Sequence, residues 1–127
     1  MAERLGDNHS RAYVLAGAIQ VSTLAAPKQL DEFETLKRNA IQAAYDSSDP
    51  YIQIWIRYVI GWEEIHRGRI NNARDAANDL MRVGESLNDP RAIGLGLYLL
   101  GWIALIFGLW QSEVEHLTAQ DLPAAER

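Results

Sequence analysis

The sequence predicts an all-α fold made of three antiparallel helix hairpins. The first observation behind this prediction is a repeat of 40 residues, in which Asp-Pro, Tyr, Gly-Trp and Gly recur at the same spacing after Asp49 and after Asp89. The second is that helix start and stop signals divide the chain into segments of helical length. A helix pair that recurs in one frame buries its apolar faces only against neighbouring pairs, so the repeat indicates stacked hairpins.

The composition fits one soluble domain spanning residues 1–127. Hydrophobic residues make up 48% of the chain and charged residues 23%, which is typical of a folded protein. The absence of cysteine excludes disulfides, thiolate metal sites and a cysteine nucleophile. A net charge of -5 provides no basic footprint for nucleic acid, and the N-terminus lacks the apolar stretch of a secretion signal. We therefore expect a cytoplasmic protein that does not bind nucleic acid.

The first hairpin is predicted over residues 8–46. Its first helix runs from about residue 10 to 25 and stops before Pro27, because a proline disfavours helix in the residue before it. Its second helix covers about residues 28–45, with apolar side chains at three-four spacing and one charged residue, Lys37, on the same face.

The second and third hairpins are predicted over residues 49–87 and 89–120. Asp49 and Asp89 can each cap a helix whose first position is proline, where a missing N–H costs nothing. Gly68 and Gly108 then suit left-handed C-caps of these two first helices. The second helices follow over about residues 71–87 and from about residue 111.

Glycines in the repeated first helices are expected to let helix backbones approach, with a tryptophan beside each. We therefore expect three pairs of residues to be structurally equivalent: Tyr58 and Tyr98, Gly61 and Gly101, Trp62 and Trp102.

This pattern resembles the tetratricopeptide repeat, in which a large apolar residue precedes Gly in the first helix, Gly marks the turn and Ala follows in the second helix. Ile60-Gly61, Gly68 and Ala73 match one repeat, and Leu100-Gly101 and Gly108 match the next. The period of 40 residues departs from the usual value of about 34. Glu113 also replaces the second alanine, and Ala77 and Leu117 stand where an aromatic is usual.

The resemblance implies a right-handed superhelix of hairpins. It extends to the divergent helical arrays attached to bacterial nucleotide cyclases and large transcription regulators. Residues 3–7 also echo residues 85–89, as though the chain began in the tail of an earlier second helix. We accordingly expect a piece of a longer array.

The resemblance further implies a concave groove lined by the first helices, where a partner protein or peptide lies. The candidate partner-binding residues are Trp55, Tyr58, Trp62, Tyr98 and Trp102, with Arg57 as a charge at the rim. An alternative is that the same aromatic residues pack between helices as core. The predicted function is a non-catalytic interaction or scaffold module without a cofactor.

Two Glu-x-x-His elements support an alternative function, a di-iron carboxylate protein. Glu63 to His66 and Glu113 to His116 place carboxylate and imidazole on one helix face, and Glu34 and Glu85 could complete a ligand set. We favour an interpretation without a metal, because both elements fall at predicted helix ends, whereas such ligands lie mid-helix in di-iron bundles.

Residues 93–110 are 18 consecutive residues without a charge, which reaches the length of a membrane span. Its repeat partner, residues 53–70, carries six charged or histidine residues in the same frame, so we predict no membrane insertion. The stretch should instead leave apolar surface uncovered near Phe107, Leu109 and Trp110. Because soluble monomers seldom expose large apolar patches, we predict a homodimer through the C-terminal hairpin.

Overall fold

A computed structural model of the chain consists of five α-helices. They are α1 (Ala2–Leu24), α2 (Leu30–Ser47), α3 (Pro50–His66), α4 (Ile70–Leu87) and α5 (Pro90–Glu126). The structure describes the backbone of residues 2–24 and 29–126 and the side chains of residues 7–20, 29–112 and 115. Within these ranges there is no strand, which confirms the predicted all-α class.

The same turn joins α2 to α3 and α4 to α5. Each turn begins with a left-handed residue, Ser48 at φ 56° or Asn88 at φ 53°. An aspartate follows and caps the next helix: Asp49 accepts a hydrogen bond from the N–H of Tyr51, and Asp89 from that of Arg91, both at 2.9 Å. The predicted start signals are thus confirmed. The chain therefore enters α3 and α5 through the same type of turn.

The turn between α3 and α4 depends on Gly68. This residue has φ +74°, and its N–H donates to the carbonyl of Ile65 at 3.0 Å, which closes the last turn of α3. Because a side chain is strained at this φ, glycine is the residue suited to the position. The predicted left-handed cap is confirmed here, and the short connection makes α3 and α4 an antiparallel pair.

The core lies in two clusters that share α3. One cluster joins α1, α2 and α3 around Phe33, and the other joins α3, α4 and α5 around Leu80 and Leu99. Residues on several sides of α3 are buried, because other helices cover most of its circumference: Ile52, Ile54, Ile56, Val59, Ile60, Gly61, Glu63, Glu64 and Ile65. This central position explains why α3 is apolar around most of its axis.

Three glycines allow close helix approach, but Gly101 is not one of them. A Cβ atom on Gly61 would lie 2.7 Å from Leu99 Cδ1, where α3 meets α5. A Cβ on Gly84 would lie 2.9 Å from that of Ala92, and one on Gly96 would lie 3.0 Å from the carbonyl of Ala77, both between α4 and α5. Gly101 has nothing within 4 Å, so its predicted place at a helix crossing is wrong. Its side of α5 faces solvent in the described part of the chain.

The predicted third hairpin is also wrong. The helix α5 continues from Pro90 through Gly108 to Glu126, without the expected turn and sixth helix. A glycine permits a turn but does not impose one. At the other end, α1 runs unbroken from Ala2, so the first residues are part of α1 and not the tail of an earlier helix.

Candidate functional site

Five aromatic side chains form one continuous surface across α3 and α5. We call Trp55, Tyr58, Trp62, Tyr98 and Trp102 the aromatic surface. Trp62 joins the two helices, because its ring centroid lies 6.1 Å from that of Tyr98 and 6.0 Å from that of Trp102. Along α3, successive ring centroids lie 5.9 Å apart between Trp55 and Tyr58 and 6.3 Å apart between Tyr58 and Trp62. All five predicted partner-binding residues therefore come together.

The two helices contribute to this surface differently. The α3 members are half-buried, with Trp55 packed against the first core cluster and Tyr58 and Trp62 against the second. The α5 members are more open, since Tyr98 is 51% exposed and Trp102 37% exposed. The α3 rings thus serve partly as core, while the α5 rings offer contact area to solvent. A role in binding remains a prediction for all five.

A shallow depression lies at the α5 side of the aromatic surface. It measures about 220 Å³ and is lined by Tyr98, Gly101, Trp102 and Leu105. Gly101 leaves room here because it has no side chain, so the glycine that the repeat pattern assigned to helix packing instead opens the surface. At the α3 end, His66 stacks on Trp62 with centroids 5.9 Å apart. The sequence analysis considered His66 only as a candidate metal ligand. In the structure, the His66 ring extends the aromatic surface.

Near its middle, α5 exposes a second apolar area. Leu109 is 62% exposed, Trp110 63% and Phe107 37%. Phe107 and Trp110 line an apolar pocket of about 260 Å³ against Ile65 and Ile70. The prediction of uncovered apolar surface near these three residues is confirmed.

One helix of the described chain, over Pro90–Ser112, has the length and composition that a membrane crossing requires. Core helices of soluble proteins and signal sequences meet the same criterion, so this observation carries little weight by itself. Only 22% of its apolar stretch is buried, in contrast to α3. Burial therefore does not account for the apolar character of α5.

A buried charge cluster joins α2, α3 and the start of α4 on another side of the molecule. Its centre is Glu64, whose side chain is fully buried. Lys37 Nζ lies 3.3 Å from Glu64 Oε1, and Arg69 Nε lies 3.3 Å from Glu64 Oε2. Glu34 completes the cluster at 2.7 Å from Arg69 Nη1. The cluster explains why Lys37 occurs on the apolar face of α2.

The two carboxylates of this cluster have pKa values shifted in opposite directions. Burial raises the pKa of Glu64 above 4.5, and the nearby charges of Lys37 and Arg69 only partly oppose this effect. For Glu34, partial burial also favours the neutral form, but the hydrogen bond from Arg69 and the charge of Lys37 together lower its pKa below 4.5. The sequence offered one signal for this cluster, a lysine at an apolar position of α2.

Two of the candidate metal ligands, Glu63 and Glu34, are engaged in ion pairs. Arg67 Nε donates to Glu63 Oε1 at 2.9 Å, and the carboxylates of Glu34 and Glu64 are bridged by cations. Glu85 is exposed on α4, and the side chains of Glu113 and His116 lie outside the described residues. Among the described side chains there is no group of three or more His, Asp or Glu residues placed to hold a metal ion.

Arg57 does not lie at the rim of the aromatic surface. At about 100° per residue, Arg57 lies about 100° from Tyr58 and about 140° from Trp62 around the axis of α3, so it is on a different side of this helix. It lines a cleft between α2, α3 and α4 instead. The repeat pattern could not show this, because it does not specify which face of the first helix the following hairpin leaves open.

Comparison with known proteins found no matching family model, curated protein or solved structure for this chain.

Proposed function

We propose that this chain is a non-catalytic interaction module that binds a protein or an extended peptide across the aromatic surface. The observation that carries the proposal is the contact of Trp62 with both Tyr98 and Trp102, which makes one surface from two helices. Tryptophan and tyrosine dominate binding energies at protein interfaces, because they bury a large area with few rotatable bonds. The likeness of the pattern to tetratricopeptide repeats supports the same assignment.

The chemistry of the aromatic surface favours an apolar partner segment. None of its five side chains carries a charge, and the depression beside Gly101 can receive a small apolar side chain. The tyrosine hydroxyls and tryptophan N–H groups can hydrogen-bond to a peptide backbone. An extended segment with apolar side chains fits these properties better than an acidic or basic one.

Peptide display on the whole chain tests the proposal. Selected peptides should lose affinity by at least about tenfold for Tyr98→Ala and Trp102→Ala, which corresponds to about 1.4 kcal/mol. Tyr45→Ala is the control, because Tyr45 is 70% exposed on α2, a helix that contributes no residue to the aromatic surface. Equal affinity for the wild type and the Tyr98 and Trp102 variants would contradict the proposal, as would failure to select any peptide.

We also propose that two copies associate through the middle of α5, around Phe107, Leu109 and Trp110. The supporting observation is the exposure of Phe107, Leu109 and Trp110 together. A homodimer would remove this apolar area from water, which is the dominant favourable term in most protein association.

A further inference from the structure

A polar cleft of about 510 Å³ lies between α2, α3 and α4. It lies on a different side of α3 from the aromatic surface, and none of the residues of that surface lines it. Ile60 and Ala76 contribute apolar parts of its wall. Lys37, Arg57 and Arg82 bring positive charges to it, and Asp75 and Asp79 bring negative charges. Its volume is sufficient for a small polar metabolite.

Arg57 is the unusual group in this cleft. Its guanidinium is half-buried and donates from Nη1 to the backbone carbonyl of Gln53 at 2.9 Å. Among the described side chains, no carboxylate lies within 4.0 Å of it. Burial lowers the pKa of Arg57, and the more distant charge of Asp79 opposes this effect only in part.

Other cations of comparable burial are paired. Lys37, Arg67 and Arg69 are 16–24% exposed, and each has a carboxylate oxygen within 3.4 Å. A partly buried charge usually has a partner, because removing it from water is costly. The remaining donors of Arg57 are thus available to an anionic group that enters the cleft, and a carboxylate matches their planar geometry.

The aspartates on the α4 side restrict the class of ligand. Asp75 and Asp79 are one helical turn apart and face the same cleft, and Asp79 pairs with Arg82 at 2.9 Å. Because Arg82 offsets the charge of Asp79, Asp75 is the carboxylate that would repel a simple anion such as phosphate bound at Arg57. A ligand that carries an ammonium group next to its carboxylate satisfies both sides of the cleft.

We infer that the cleft binds a free α-amino acid, with its carboxylate on Arg57 and its ammonium group facing Asp75 and Asp79. The apolar wall formed by Ile60 and Ala76 is available to the aliphatic part of the ligand side chain. This inference is independent of the proposed interaction function, because it concerns another face of the molecule.

NMR titration of the isotopically labelled whole chain with each common amino acid tests the inference. At concentrations up to about 10 mM, at least one amino acid should produce saturable shifts at the Arg57 Nε–Hε group and at the side-chain amide of Asn72, which also lines the cleft. Acetate and methylammonium, each with one of the two charges, should bind at least about tenfold more weakly.

Three variants make the test specific. Arg57→Gln should weaken binding of the amino acid by at least about tenfold, whereas Arg74→Gln, an exposed arginine of α4 outside the cleft, should leave it unchanged. Asp75 is exposed, so Asp75→Asn should leave folding intact. This variant should weaken binding of the amino acid but not binding of acetate. The inference is overturned if no amino acid gives saturable shifts, if acetate binds as tightly as the amino acid, or if the Arg57→Gln variant binds the amino acid as tightly as the wild type does.

Discussion

Glu64 illustrates how a charge can be held inside this core. Its side chain is fully buried, yet cations from α2 and from the start of α4 reach both of its oxygens. Oε1 accepts a hydrogen bond from Lys37, whereas Oε2 lies at ion-pair distance from Arg69 without hydrogen-bond geometry. A buried carboxylate with incomplete hydrogen bonding favours the neutral form, and the pKa of Glu64 is raised accordingly.

This raised pKa predicts how stability depends on pH. Because folded Glu64 binds its proton more tightly than the unfolded chain does, acid should stabilise the folded state through this group. The difference in unfolding free energy between the wild type and Glu64→Gln should therefore shift in favour of the wild type as pH falls from about 7 towards the ordinary value of 4.5. Urea denaturation of both proteins at a series of pH values measures this difference.

Glu34→Gln provides a control of opposite sign. The pKa of Glu34 is lowered, so its stabilising contribution is present above its unfolded value of 4.5 and is lost as pH falls through the folded value. The wild type should therefore lose its advantage over Glu34→Gln in acid. If both variants respond to pH in the same direction, the assignment of the two carboxylates is incorrect.

At the scale of elements, the two turn glycines that the repeat makes equivalent have different roles. Gly68 ends α3 with φ +74°, whereas Gly108 lies inside α5 with nothing within 4 Å of where its Cβ would stand. The connection between α3 and α4 needs the left-handed residue. Inside α5, a glycine only lowers helix propensity.

Replacing each glycine with alanine should separate these roles. Gly108→Ala should raise the unfolding free energy by up to about 1 kcal/mol, because alanine has the higher helix propensity. Gly68→Ala should lower it by about 1 kcal/mol or more, because the added Cβ is strained at positive φ. Thermal or chemical denaturation gives both values. A destabilising Gly108→Ala would instead support the turn and sixth helix that the repeat pattern predicted.

At the scale of the whole molecule, the unequal covering of α3 and α5 is the main feature. Both helices are strongly apolar, but other helices surround α3, whereas α5 is packed along one side through residues such as Ala92, Leu99 and Ile103. Its other sides expose Leu97, Leu105 and Leu109 to at least 50%. Apolar area of this kind on a soluble protein commonly marks a surface for association.

A charge placed in this area should weaken self-association. Trp110→Glu should raise the dimer dissociation constant by at least about tenfold, since a carboxylate in an apolar contact loses its hydration. Light scattering with size-exclusion chromatography over a range of concentrations measures the effect.

Tyr45→Glu is the matched control, because Tyr45 is 70% exposed on α2 and Trp110 is 63% exposed on α5. A wild-type chain that remains monomeric at high concentration without detergent would rule out the homodimer.

Local signals in the sequence were sufficient for α2, α3 and α4, for the start of α5 and for the residues that form the aromatic surface, but they placed the start of α1 near residue 10 instead of at Ala2. Asp49-Pro50 and Asp89-Pro90 start helices because an aspartate side chain and a proline ring act on their nearest neighbours in the chain. Gly68 ends a helix for the same kind of reason. Helical spacing likewise places Tyr58 and Trp62 on one face of α3.

Only the tertiary structure decided which faces are covered. Gly61 and Gly101 are equivalent in the repeat, but one meets Leu99 and the other meets solvent. The reason is that α5 covers the Gly61 side of α3, whereas no helix of the described chain covers the Gly101 side of α5. The positions of neighbouring helices likewise place Arg57 at the cleft and bring Lys37 of α2 and Arg69, just before α4, to Glu64. A 40-residue period specifies what each helix can pack against, but the number and position of neighbouring helices determine whether a given face becomes core, cleft or exposed surface.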